Sequence, residues 1–218
     1  MKKLLFSLCL ITFSFASLTL GIAGGYKNIF QPLITQYNHK YNANIKAVYG
    51  PMGGLIFFAN RGTIDAIIGD REILKKHNKN IVYTIGQDKM VILSKKKINS
   101  LKNLQKIRRI AIPNEQHTTY GRAAKEAFKN LHLKINKLIV TMMPQGINYL
   151  IMNQVGGAVA SLSQAILLKK FYYIIIPTNT YKPIFISVAK IKNNSELNKF
   201  INFLKSKKVK EYLSKYGL

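Results

Sequence analysis

The stretch Arg109-Ile-Ala-Ile-Pro113-Asn-Glu-Gln-His117-Thr118-Thr119-Tyr120-Gly121-Arg122-Ala-Ala-Lys-Glu126-Ala-Phe128 decides how this chain is read. Arg109 to Ile112 predicts a short buried strand, Pro113-Asn114 opens a polar loop, and a helix is expected from Thr119. Thr118 and Thr119 are good N-cap types, and Ala123, Ala124, Ala127 and Phe128 fall on one helical face. A helix start fed by a strand offers backbone N–H groups without internal acceptors and the positive end of the helix dipole, which together suit a small anion. Gly121 lets a ligand or another backbone come close. An ordinary strand–loop–helix unit capped for stability has the same signature, so this stretch alone leaves both readings open. Arg122 stands four residues before Glu126, which predicts a solvated helix bridge ahead of a ligand clamp.

Working outward, residues 1–16 read as a secretory signal peptide, with Lys2 and Lys3, an apolar run from Leu4 to Phe15, and cleavage expected after Ala16. Cys9, inside that run, is the chain's one cysteine, so the exported protein is expected to have no disulfide, thiol nucleophile or cysteine-based metal site. The four histidines, His39, His77, His117 and His132, lack metal-ligand spacing, and no cofactor is expected. Removing Lys2 and Lys3 lowers the formal charge from +26 to +24. Three features argue against nucleic acid as the partner: the leader, the even spread of lysines, and the absence of nucleic-acid motifs. A surface this basic still concentrates anions around it, to a degree that salt reduces.

Strands and helices alternate along the rest. Strands are expected at Leu18–Ala23, Ile45–Tyr49 and Asp65–Ile68, each followed by a glycine turn: Gly24-Gly25, Gly50-Pro51-Met52-Gly53-Gly54 and Gly69-Asp70. Between them lie a helix carrying Ile29, Phe30, Leu33, Ile34, Tyr37 and Tyr41, and a short helix over Leu55–Asn60. A second run follows, with strands at Lys89–Ser94, Arg109–Ile112, Leu138–Thr141, Ala158–Ala160 and Tyr173–Ile176 and a helix after Pro144. A strand at Ile184–Ala189 and helices over Ser195–Leu204 and Val209–Tyr216 close the chain. This order predicts an α/β protein of two lobes, each a mostly parallel sheet flanked by helices, joined by two hinge strands near Asp88–Leu93 and Lys182–Val188. Lobe 1 is expected over 17–88 and 184–218, and lobe 2 over 89–183. Ligands of such sheets bind beyond the carboxyl ends of the strands, where the glycine turns fall. Asp65 and Asp70 are read as a loop anchor or hinge residue and as the N-cap of a helix over Arg71–His77. With eight acidic residues and no Ser-His-Asp order or nucleophile elbow, enzyme is the weaker class.

The segment Arg109–Phe128, the run Gly157-Ala-Val-Ala-Ser161, and the closing Phe200–Gly217, two helices ending Lys215-Tyr216-Gly217, resemble the periplasmic molybdate-binding proteins of ABC transporters. The accessory colonisation factor group is similar as well. The resemblance implies a type II periplasmic binding protein with a ligand in an interlobe cleft, closure by hinge bending, a periplasmic location, and a permease in the inner membrane as partner. It maps the ligand positions onto Gly25, the Met52-Gly53 region, the Tyr120 amide beside Gly121, the amide near Met143, and Ser161. Gly25 stands where the family has a serine, Ser161 where it has a tyrosine, and Gln164 where it has an aspartate. The substitutes expected are amides of Gly24, Gly25, Gly53 and Gly54, the hydroxyls of Thr118, Thr119, Tyr120, Ser161 and Ser163, and the Arg122 fork if it turns inward. Three readings follow: a binder of a molybdate- or tungstate-like oxyanion, a binder of the same fold for sulfate, a carboxylate or a phosphorylated acid, and a basic exported protein interacting with anionic surface polymers.

Overall fold

The computed structural model describes residues 17–218, and the expected leader with Cys9 lies outside the described residues. Two five-stranded sheets form the scaffold. The first contains β1 (Ser17–Ala23), β2 (Asn44–Gly50), β3 (Ala66–Asp70), β4 (Asn80–Asp88) and β10 (Ile184–Lys190), in the order β2-β1-β3-β10-β4. The second contains β5 (Met90–Ser94), β6 (Ile110–Pro113), β7 (Lys137–Val140), β8 (Gly157–Ser161) and β9 (Tyr172–Ile175), in the order β7-β6-β8-β5-β9. In each sheet four of the five strands run one way, and the reversed one, β10 or β5, has just arrived from the other lobe.

The crossings are short and tied together. β4 ends at Asp88 and β5 begins at Met90, so one extended segment serves both sheets. The return passes from β9 to β10, whose Ile184 pairs with Asp88. Where the two crossings meet, the Ile176 amide donates to the Met90 carbonyl (3.0 Å) and the Met90 amide to the Tyr181 hydroxyl (2.9 Å).

Helices cover both sheets. In α1 (Lys27–Tyr41), Ile29, Phe30, Leu33, Ile34 and Tyr37 pack against β1, where Leu18, Leu20 and Ile22 are wholly buried. Tyr41, expected on that face, is 49% exposed at the last turn. The remaining helices are α2 (Met52–Asn60), α3 (Arg71–Lys76), α4 (Thr119–Asn130), α5 (Met143–Ile151), α6 (Leu162–Leu168), α7 (Ser195–Leu204) and α8 (Lys207–Ser214). The chain end returns to the first lobe: the rings of Phe200 and Phe203 on α7 both lie 5.2 Å from that of Tyr37. Gly217 then turns the tail with φ +77°, a conformation that favours glycine, and brings it against Leu162 of α6 in the second lobe.

β4 and α6 have no counterpart in the sequence expectations, and neither do the 3₁₀ turns Leu101–Lys106 and Thr178–Thr180. β4 is a half-exposed edge strand whose Ile81, Tyr83 and Ile85 alternate with exposed residues. α6 is short and ends with Lys169 in the left-handed region instead of a glycine. Helix α2 also starts three residues before the expected Leu55, which puts Met52, Gly53 and Gly54 in its first turn, and Gly69-Asp70, expected as a turn, are the last two residues of β3, paired with Ser187 and Ile186 of β10.

Candidate functional site

Between the sheets lies a cleft of about 390 Å³. Four chain segments deliver helix starts to it. On the first lobe, β1 runs through a 3₁₀ turn, Gly24–Tyr26, into α1, and β2 runs through the extended Pro51 into α2 at Met52. On the second, β6 feeds α4 at Thr119, and β7 feeds α5 at Met143, with Pro144 in its first turn. A helix start leaves its first amides without internal acceptors and carries the positive end of the dipole, so the four create a positive potential without a free cationic side chain.

The hydroxyl groups around the cleft are already engaged. Thr118 caps α4, accepting from the Gly121 amide (3.0 Å) and donating to the Asn114 carbonyl (2.6 Å). Thr119 donates to Asp70 Oδ2. Tyr26, Tyr120 and Ser163 converge on Asp88 Oδ2 at 3.0, 2.9 and 2.9 Å. Ser163 thereby commits its proton to Asp88, so Ser161 is the donor in the 2.9 Å contact between the two serines. Thr118, Thr119, Tyr120 and Ser161 therefore keep the cleft's shape and have no hydroxyl proton left for a ligand. The donors that remain are main-chain amides and the imidazole of the exposed His117 at the rim.

Asp88 is the hub beneath this floor and is fully buried. Burial raises its carboxyl above the ordinary range, while hydrogen bonds from Ser163, Tyr120, the Lys89 amide and Tyr26 pull it back. The phenols of Tyr26 and Tyr120 are pushed well above their usual value, first by burial and then by the charge of Asp88, which keeps them protonated as donors. Because Tyr26 belongs to the first lobe and Tyr120 to the second, one carboxylate at the crossing fastens both.

A second bridge crosses at Asp70. As expected it caps α3, accepting from the Glu72 and Ile73 amides (2.7 and 3.4 Å). It also receives Thr119 and, at 3.2 Å, the Arg122 guanidinium of α4. The bridge expected between Arg122 and Glu126 is thereby corrected: Glu126 accepts from the Lys182 amide (2.8 Å), and Arg122 spans the lobes instead. Asp65 anchors its loop to β1, accepting from the Thr19 amide (2.8 Å).

Of the residues singled out from the sequence, Gly24, Gly25, Met52, Thr118, Thr119, Tyr120, Met143 and Ser161 line the cleft, and Gly53, Gly54 and Gly121 do not. Gly53 is exposed, with open space where a side chain would stand. Gly121 allows a backbone to come close: a Cβ there would sit 2.2 Å from the Pro113 carbonyl oxygen, and its amide already serves Thr118. Sequence reasoning missed Asp70 and Ile73 on the wall, Asp88 beneath it, and Met142, Ile184 and Ile186. The signal for Asp88 was a lone carboxylate between two apolar strands. The side walls are apolar, formed by Met52, Met142 and Met143 with Pro51, Pro144 and Ile184.

The fold is shared with solved binding proteins of low sequence identity. The Azotobacter vinelandii periplasmic molybdate-binding protein superposes with a TM-score of 0.77 at 18% identity, over 92% of this chain and 97% of that one. PEB3 from Campylobacter jejuni gives 0.71 at 16% identity, over 92% and 98%, and PEB3 bound to L-phospholactate gives 0.73 at 16%, again over 92% and 98%. No curated protein sequence matches significantly. The sequence profile of the bacterial extracellular solute-binding proteins matches residues 18–218, essentially all that the structure describes, and the chain belongs to that family.

Proposed function

We propose that this protein captures a small organic anion of the carboxylate or phosphorylated-acid class in the interlobe cleft. Its charged head would lie among the helix starts at Gly24-Gly25, Met52, Thr119-Tyr120 and Met143, and its carbon body against the methionine and proline walls. The observation that carries this reading is the combination of committed hydroxyls with thioether and proline walls. Amides serve the charge, and with His117 at the rim as the one side-chain donor left in the lining, a bare oxyanion is not surrounded on every side. A volume of about 390 Å³ also suits an organic acid. The Asp70 charge does not oppose such a ligand, since Arg122 and the start of α3 neutralise it. L-phospholactate in PEB3 is a precedent in the same fold.

The bare-oxyanion reading, molybdate or tungstate, keeps one specific support: the convergence of four amide-bearing helix starts in a fold shared with a molybdate binder. Under either reading the protein works outside the cytoplasm, in the periplasm after removal of its leader, and passes its ligand to a permease of an ABC transporter. Its task is binding without chemistry, because the carboxylates of Asp70 and Asp88 are held by donors instead of aimed at a substrate.

A thermal-shift panel of phospholactate, phosphoglycolate, citrate, molybdate, tungstate, sulfate and phosphate tests the proposal. A ligand at one hundred times its dissociation constant adds ~2.7 kcal/mol, which for a chain of this length raises the melting temperature by roughly 5–10 °C. A shift of that size with a phosphorylated or carboxylic acid supports the organic-anion reading. A shift confined to molybdate and tungstate replaces it with the oxyanion reading.

A further inference from the structure

A second pocket, of about 440 Å³, opens at the far end of the second lobe. Its walls include Lys95, Lys96, Lys97, Lys106 and Arg108, and none of the chain's eight acidic residues lines it. Among the described residues, none of these five cations takes part in an ion pair. The floor is apolar, with Ile98, Ile107, Leu150 and Val155. Lys95 is held in place, its ammonium donating to the Ile151 carbonyl at the end of α5 (2.8 Å) and to Asn153 Oδ1 (2.6 Å). Five cations on one concave surface without counter-charge repel one another, and a multiply charged anion is what relieves that repulsion.

The sheet separates this pocket from the cleft. Strand β5 is antiparallel to β8, with Met90 opposite the cleft residue Ser161 and Ser94, on the pocket wall, opposite Gly157. Four residue steps at ~3.3 Å place the two ends of the strand roughly 13 Å apart.

We propose that this pocket is a second anion site, independent of the cleft, that takes a phosphate-bearing group of more than one negative charge. A single carboxylate would leave most of the five cations unmatched, whereas a chain of phosphates or a phosphate-bearing membrane surface meets several at once. The position at the outer end of the lobe leaves the site open to either source.

The test is calorimetric titration of the protein with inorganic tripolyphosphate at moderate salt. Saturable binding is expected, weakened on the order of tenfold in Lys96→Ala/Lys106→Ala/Arg108→Ala. The control Lys207→Ala/Lys208→Ala/Lys210→Ala removes the same charge from α8 and is expected to bind as the parent does. All six positions are exposed, so the melting temperatures should match the parent's; should the triple variant melt early, Lys106→Glu alone provides the comparison. Flotation with phosphatidylglycerol vesicles identifies the source: retention lost in the triple variant points to membrane phosphate, and tripolyphosphate binding without retention points to a soluble polyphosphate. Absence of saturable binding, or equal weakening in the α8 control, overturns the proposal and leaves only the general charge of the chain.

Discussion

Asp88 shows how much one side chain carries in this protein. Its folded-state pKa is raised by burial, so the folded protein holds that proton more tightly than the unfolded chain does. The group's contribution to stability is therefore full below the ordinary carboxylate pKa and is lost as the pH rises through the folded-state value. Asp88→Asn keeps the shape and cannot ionise. As the pH rises above the ordinary carboxylate pKa of about 4, its melting temperature should improve relative to the parent's, and a gap independent of pH would contradict burial as the cause. Gly121 carries a different load. Gly121→Ala forces a Cβ against the Pro113 and Asn114 carbonyl oxygens, both backbone atoms that cannot swing aside. It should destabilise the protein by about 2–3 kcal/mol, measured by denaturant unfolding.

The elements act through their ends. Helix α4 presents its first amides to the cleft only while Thr118 holds the turn that begins at Asn114. Thr118→Ala removes the cap and should lower stability by about 1 kcal/mol. It should also weaken ligand binding, because the Thr119 and Tyr120 amides lose their fixed direction, whereas Thr118→Ser should restore both. Calorimetry with the ligand found in the thermal panel checks this, and unchanged affinity in Thr118→Ala would remove the α4 start from the site. Much of this element was legible in the sequence: a strand, a polar loop after it, threonine caps and an alanine face, although Pro113, expected to open the loop, is the last residue of β6. The direction of Arg122 was not, because helical spacing brings Glu126 within reach and gives no hint of a carboxylate on the opposite lobe.

At the scale of the molecule, the lobes are held together by Asp88 with its two tyrosines, by Asp70 with Arg122 and Thr119, and by the Gln164 amide donating to the Gly25 carbonyl. The Arg122–Asp70 pair is half in solvent on the arginine side, 37% exposed, against 4% for the aspartate. Its stabilisation of the closed arrangement is therefore about 0.5–1 kcal/mol. Arg122→Ala should weaken ligand binding roughly two- to fivefold and enlarge the unliganded radius of gyration in small-angle scattering, since closure then relies more on the ligand. An unchanged radius and affinity would show that the pair leaves the lobes' equilibrium untouched. The sequence by itself determined the alternation of strands and helices, the glycines that close β1 and β2, and the threonine cap of α4. These follow from local periodicity and capping, which neighbouring residues encode. Only the tertiary structure decided which donors are free. Thr119 and Tyr120 spend their hydroxyls on Asp70 and Asp88, and Ser161 on Ser163, which itself donates to Asp88; the aspartates lie dozens of residues away, and a hydrogen bond across that separation exists only once two sheets have met.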